Sequence, residues 1–242
     1  MESHTSQGSL QVSLSRTERL FFADAYRHNI KASNLFRESG CIITDKNWLA
    51  VLAFGVTVII FHFTVAQLAS PDEHDFLDIF RILRRTARIG WAVSPHFHQS
   101  EIKLFIDHRS SLIAASLDEQ IWQAVSNLDN VEHLANTSSD VAHVYHHAVE
   151  TLKNWVKDTE GYPRSWQHFM AWPGHVSDRF VELLTAKHPP ALIIFTYWNT
   201  IMHLTPKRWF MNGWARRNGC LAMAELDPEW DGLLEWPRSR LK

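Results

Sequence analysis

The sequence predicts an all-α protein: one globular multi-helix domain over residues 16–242, behind a disordered lead-in over residues 1–15. Three observations predict it. Helix-capping signals recur along the chain, and apolar residues return at intervals of three and four. The period-two alternation that marks a half-buried strand is missing. Only nine Gly and nine Pro interrupt the 242 residues, so long helices are free to form.

The elements follow in order. Thr17 to Ser39 reads as a first helix, with Leu20, Phe21, Ala25, Leu35 and Phe36 as its apolar positions and Gly40 past its end. Thr44 is placed to cap a strongly apolar helix that stops before Pro71. From Trp48 to Ala69 no residue carries a formal charge, a length that matches a bilayer. Gly55, Thr57, His62, Thr64 and Gln67 within it, and the lack of Lys/Arg asymmetry at its ends, favour a core helix buried on all sides and no membrane. Ser70-Pro71-Asp72-Glu73 forms a capping box that opens a helix through Phe76, Ile79, Phe80 and Leu83. Ser100 opens the next. Ser116 and Glu119 form a second box ahead of Ile121, Trp122, Val125 and Leu128. Ser138 or Ser139 opens a helix towards Lys157, and a loop with Gly161, Pro163, Pro173 and Gly174 follows. Ser177 opens a short helix, and Pro189-Pro190 starts an apolar one from Ala191 to His203. Past Pro206 a last long helix carries Trp209, Phe210 and Trp214, and Asp227-Pro228 breaks it before a terminal turn with Trp230, Leu233 and Trp236.

Composition excludes several classes. Hydrophobic residues make up 45% of the chain, with 11 Trp and 14 Phe, enough for a core without a disulfide or metal staple. Cys41 and Cys220 stand far apart and form no framework, which suits a reducing compartment: the cytoplasm, or the nucleus for a regulator. Net charge is −2, with Lys and Arg spread along the chain and no basic stripe, so nucleic acid is not an expected partner. The first fifteen residues lack the basic start and apolar run of a signal peptide.

Several segments together carry a resemblance. His188-Pro189-Pro190-Ala191-Leu192, Trp209-Phe210-Met211-Asn212-Gly213-Trp214-Ala215, Leu226-Asp227-Pro228-Glu229-Trp230 and Leu234-Glu235-Trp236-Pro237 stand in order. Upstream are Ala25-Tyr26-Arg27-His28, Phe76-Leu77-Asp78-Ile79-Phe80-Arg81 and Ala171-Trp172-Pro173. Over residues 17–238 the chain resembles the C-terminal ligand-sensing half of fungal zinc-cluster regulators of the sterol uptake control type. The six zinc-binding cysteines of those regulators have no counterpart here. The resemblance implies an all-helical fold with an apolar pocket for a sterol-like molecule, without DNA binding. A fungal chalcone isomerase built on that domain is the enzyme it suggests.

Fifteen histidines supply the candidate chemistry, since imidazole exchanges a proton near neutral pH. His28, beside Tyr26 and Asn29, is the first catalytic candidate, and His62, between Phe61 and Phe63, the second. Phe63, Phe195, Trp198, His203, Trp209 and Trp214 are the candidate ligand-binding set, read with the resemblance as walls of a flat pocket. His143 and His147 lie one turn apart with Glu150 beyond, but no further ligand completes a metal site, so no metal and no cofactor is expected. His96-Phe97-His98 falls in a loop. Asp72-Glu73-His74-Asp75 with Asp78 is similar to the acidic helix of terpene cyclases, without its partner motif. Three functions follow: a cofactor-free isomerase closing a ring on a chalcone-like substrate in fungal secondary metabolism; a regulator sensing a sterol-like ligand; or a carrier without catalysis. A homodimer stays open.

Overall fold

The structure, a computed structural model, describes residues 16–40, 42–68, 75–103, 116–131 and 139–242. The fold is all-α, and no strand occurs among the described residues. The expectations for the lead-in over 1–15, for the Ser70–Glu73 capping box and for the acidic set around Asp72 lie outside the described residues.

The chain divides into two compact units, residues 1–42 and 43–242. The first holds helix α1 (Arg16–Glu38), which ends as expected: Gly40 takes φ 71° and its N–H returns to the Arg37 carbonyl. Tyr26, Ile30 and Leu35 stay exposed along it.

The second unit contains α2 (Trp48–Leu68), α3 (Asp78–His98), α4 (Glu119–Ser126), α5 (Ser139–Thr159), α6 (Trp166–His175), α7 (Asp178–Thr185), α8 (Pro189–His203), α9 (Trp214–Ala224) and α10 (Asp231–Arg240). Short 3₁₀ turns occupy Asn127–Asn130, Trp209–Met211 and Pro228–Trp230.

Its core is built around α8, not α2. Every residue of α8 from Pro190 to Met202 is buried, wrapped by α5, α7, α9 and α10. The Thr196 and Thr200 hydroxyls donate to the carbonyls four residues back, as does the Asn199 amide, while the Tyr197 hydroxyl donates to the Leu233 carbonyl of α10. Among the described residues the Pro-Pro helix is therefore the one fully surrounded. On α2, Val51, Gly55, Ile59, Phe63 and Ala66 form a single buried stripe, while Leu49, Ala50, Ala53 and Thr57 are exposed. The expectation that α2 is buried on all sides is overturned: 28% of its most apolar part is buried, and its contacts among the described helices are with α3 and the α9 region.

Aromatic rings fill the centre. Phe80 meets Trp172, Phe195 and Trp198 edge-on at 5.6–5.7 Å, and Phe63 meets Trp214 at 4.9 Å. Such pairs add about 0.5–1.5 kcal/mol each beyond burial. Long-range hydrogen bonds fix the register: Trp172 Nε1 to the Ala148 carbonyl, Asn218 Nδ2 to that of Phe76, Arg217 to that of Ala66.

Other expectations are corrected in detail. Asp118, not Ser116, caps α4: its Oδ1 accepts from the Gln120 and Ile121 amides at 2.9 and 3.0 Å. Thr44 sits one turn before α2 and its carbonyl accepts from Asn47 and Trp48. The long helix past Pro206 is split, since Gly213 at φ 69° breaks it between the 3₁₀ turn and α9. The terminal turn is a full helix, α10, with Pro237 inside it. His96-Phe97-His98 is the last turn of α3, not a loop. Ser177 opens α7 as read, its hydroxyl capping the Phe180 N–H, and α5 begins at Ser139, one of the two serines expected to open it.

Candidate active cleft

Three helices packed through small residues leave a cleft between them. α2 contributes Leu52, Gly55, Val56 and Ile59; α3 contributes Thr86, Ala87, Gly90, Trp91, Val93, Ser94, Phe97 and His98; α6 contributes Gln167, Met170, Ala171 and His175. Glycine is what lets the walls approach. A Cβ on Gly174 would stand 2.8 Å from Ala87 Cβ and 2.9 Å from the Trp91 ring. The cleft is apolar and holds about 290 Å³, at the small end of the roughly 300–1,000 Å³ usual for small-molecule sites. A second depression, about 470 Å³, lies between α4 and α10 along Glu119, Gln123, Trp236 and Arg240. It is an open surface trough and cannot exclude water.

Arg84 holds the α3–α6–α7 corner. Its guanidinium donates to the Pro173 and Val176 carbonyls at 2.7 and 2.5 Å and pairs with Asp178 at 2.6 Å. That bond holds the Asp178 carboxyl below its ordinary range. Arg81, Arg84, Arg85 and Arg88 all fall on one side of α3, a basic row that the even spread of charge along the sequence concealed. Arg81 spends its charge on Asp75 and Asp78, and Arg88 stands 3.8 Å from Asp178.

Polar chemistry in the cleft comes from Ser94, Gln167, His98 and His175. The imidazole of His175 stands edge-on to Trp91 at 5.1 Å, and its Nδ1 lies 2.7 Å from the Ala171 carbonyl. A carbonyl only accepts, so Nδ1 carries the hydrogen and the neutral ring keeps its lone pair on Nε2. The ring is exposed to solvent, and in that tautomer Nε2 is its open acceptor.

No family model, curated protein or solved structure matches this chain. The cleft's own residues therefore carry the functional argument.

The structure places the sequence candidates elsewhere. Phe63, Phe195, Trp198 and Trp214 are fully buried in the aromatic core and pack against one another instead of facing a cavity. Trp209 is 73% exposed in the 3₁₀ turn. His203 ends α8, half-buried, where burial and the nearby Arg216 and Lys207 push its pKa down. His62 is half-buried on α2 against the edge of Phe61, outside the cleft lining; burial lowers its pKa, Asp78 raises it and Arg85 lowers it. His28 and Tyr26 are exposed and Asn29 half-buried on α1, in the other unit. The cleft brings none of these together. His143, His146 and His147 are exposed on α5, and among the described residues no three His, Cys, Asp or Glu side chains gather as a metal ion requires.

Of the residues that line the cleft, Trp91 and His175 were not singled out in the sequence, and His98 was expected in a loop. The signal available was the set of small residues, Gly55, Ala87, Gly90, Ala171 and Gly174, on three otherwise apolar helices.

Proposed function

We propose that the α2–α3–α6 cleft binds a small, flat, apolar molecule of aromatic type. The supporting observation is its volume of about 290 Å³ together with its wall: Trp91, Phe97, Trp166 and Met170 around two imidazoles. That space favours a molecule of two or three rings over a four-ring sterol. Calorimetric titration of the purified full chain with a chalcone and with ergosterol tests it. The chalcone is expected to bind and ergosterol not to, and Gly90→Leu, which fills the cleft, is expected to abolish binding. Chalcone binding that survives Gly90→Leu refutes the reading.

A second reading, ring-closing isomerase, is favoured by the 2.7 Å contact of His175 Nδ1 with the Ala171 carbonyl, which leaves Nε2 open to a proton. In it Nε2 takes the phenolic proton and the phenolate oxygen bonds to the β-carbon of the enone. The displaced π electrons pass to the carbonyl oxygen as an enolate, and the imidazolium returns the proton to the α-carbon. Atoms balance with no cofactor. Ser94 and Gln167 are the cleft's donors for the enolate oxygen. His175→Gln is expected to cut turnover by about 10²–10⁴-fold while chalcone binding persists. Full turnover in that variant removes the base. In this reading His28, Tyr26, Asn29 and His62 take no part in the chemistry.

A further inference from the structure

We infer that the α2–α3–α6 cleft takes its aromatic ligand as an acid, an aryl carboxylate whose anion is held at His175. The inference rests on the cleft being a binding site and specifies the charge of what it binds. None of the residues that line the cleft is Asp, Glu, Lys or Arg. Its groups that titrate near neutral pH are two imidazoles, His98 and His175, and an imidazole is either neutral or positive. Among the described residues, then, the wall can gain positive charge and brings no negative charge of its own. Trp91, Phe97 and Trp166 make rings, not a bare inorganic anion, the body of the ligand.

His175 is the better placed of the two imidazoles. Its Nδ1 lies 2.7 Å from the Ala171 carbonyl, and its ring stands edge-on to Trp91 at 5.1 Å. The Nδ1 bond survives protonation, because both ring nitrogens then donate, and Nε2 gains an N–H. A carboxylate at that N–H makes a charge-assisted bond while the rings behind it lie along Trp91. The C-terminal end of a helix ordinarily repels an anion, since its last carbonyls carry partial negative charge. At the end of α6 Arg84 covers two of them, donating to the Pro173 and Val176 carbonyls at 2.7 and 2.5 Å. Asp178, three residues after His175, is paired with Arg84 at 2.6 Å and lies 3.8 Å from Arg88. Two guanidiniums against one carboxylate leave this end positive, and the carboxylate is already engaged. From the other elements, α2 brings no charged side chain to the cleft, and α5 meets α6 through Ala148 at Trp172 and through Trp155 at His168.

Calorimetric titration of the full chain with chalcone, a chalcone bearing a ring carboxylate and the matching carboxamide tests it. At about pH 5.5 the acid is expected to bind at least about fivefold more tightly than the amide. At about pH 8 a neutral Nε2 repels the carboxylate and accepts from the amide N–H, so the preference is expected to fall below about twofold or invert. His175→Gln is expected to bring it below about twofold at both pH values. Should that variant fail to fold, the pH dependence of the native chain decides alone. An amide bound as tightly as the acid at the lower pH overturns the inference. So does a preference for the acid that persists at the higher pH or in His175→Gln. If chalcone and the amide bind and the acid is not preferred, the cleft remains a binding site and only its charge selectivity falls. If none of the three binds, the binding site falls and this inference with it.

Discussion

Two glycines on the same cleft are expected to respond to alanine with opposite signs. At Gly174 the new Cβ would lie 2.8 Å from Ala87 Cβ and 2.9 Å from Trp91 Cζ2. Carbon atoms rest at about 3.5–4.0 Å, so roughly 0.7 Å or more must be found. Trp91 is half-exposed and can swing outward, but Ala87 Cβ is fixed to the α3 backbone, so α6 must lift away from α3. Overpacking of this kind costs about 1–3 kcal/mol, and the better helix propensity of alanine returns at most about 1, less at a helix end. Gly174→Ala is therefore expected to destabilise by about 1–2 kcal/mol. At Gly90 the new Cβ meets only the flexible Met170 Cε, at 3.5 Å. There the mid-helix gain of about 0.5–1 kcal/mol stands unopposed. In thermal melts these become a fall of about 2–8 °C for Gly174→Ala and a rise of about 1–4 °C for Gly90→Ala. Urea titrations should rank the three proteins in the same order. A Gly174→Ala protein as stable as the native chain would refute the close α3–α6 approach on which the cleft depends.

Phe80→Ala is expected to cost about 3–5 kcal/mol in urea unfolding, because its ring closes the cluster of Trp172, Phe195 and Trp198; a loss under about 1 kcal/mol would mean that this cluster is not the core. Asp118→Ala is expected to cost about 1 kcal/mol at neutral pH through loss of the α4 cap. The Tyr162 hydroxyl and the cap amides hold the Asp118 pKa below its ordinary 3.8, so its share of stability is present above that pH and is lost as pH falls through the lower folded value. The gap between native and variant should close on acidification; a gap that widens contradicts the assignment. His62, His168 and His203 all have pKa values lowered chiefly by burial, so the unfolded chain binds more protons than the folded one. Their contribution is complete above the ordinary histidine value of 6.5 and declines as pH falls below it. Melting temperatures measured from about pH 7.5 to about pH 5 should fall, and His62→Gln should flatten the curve; an unchanged slope would show that His62 is open to water.

The sequence by itself determined many of the helix ends, because caps and breakers act over three or four residues, but Pro173 and Gly174, read as loop, lie in helix α6. Ser139, Ser177, Pro189-Pro190 and Gly40 mark helix ends where the structure has them. Where two local signals competed, chain proximity decided too early: Ser116 and Asp118 are both capping residues, and the Tyr162 hydroxyl, 44 residues away, holds Asp118 in place. Composition also established a core rich in Trp and Phe, without saying which side of each ring it would cover. Only the tertiary structure decided that α8 is surrounded while α2, equally free of charge, keeps one face outward. Burial depends on how many neighbours pack around a helix, and hydropathy does not count them. The same holds for the candidate site. Phe195, Trp198 and Trp214 carry the side chains of a ligand wall, but their rings pack against one another. The cleft opens instead where Gly55, Gly90 and Ala171 leave space between helices, and an unfilled volume is a property of three elements at once that no single segment encodes.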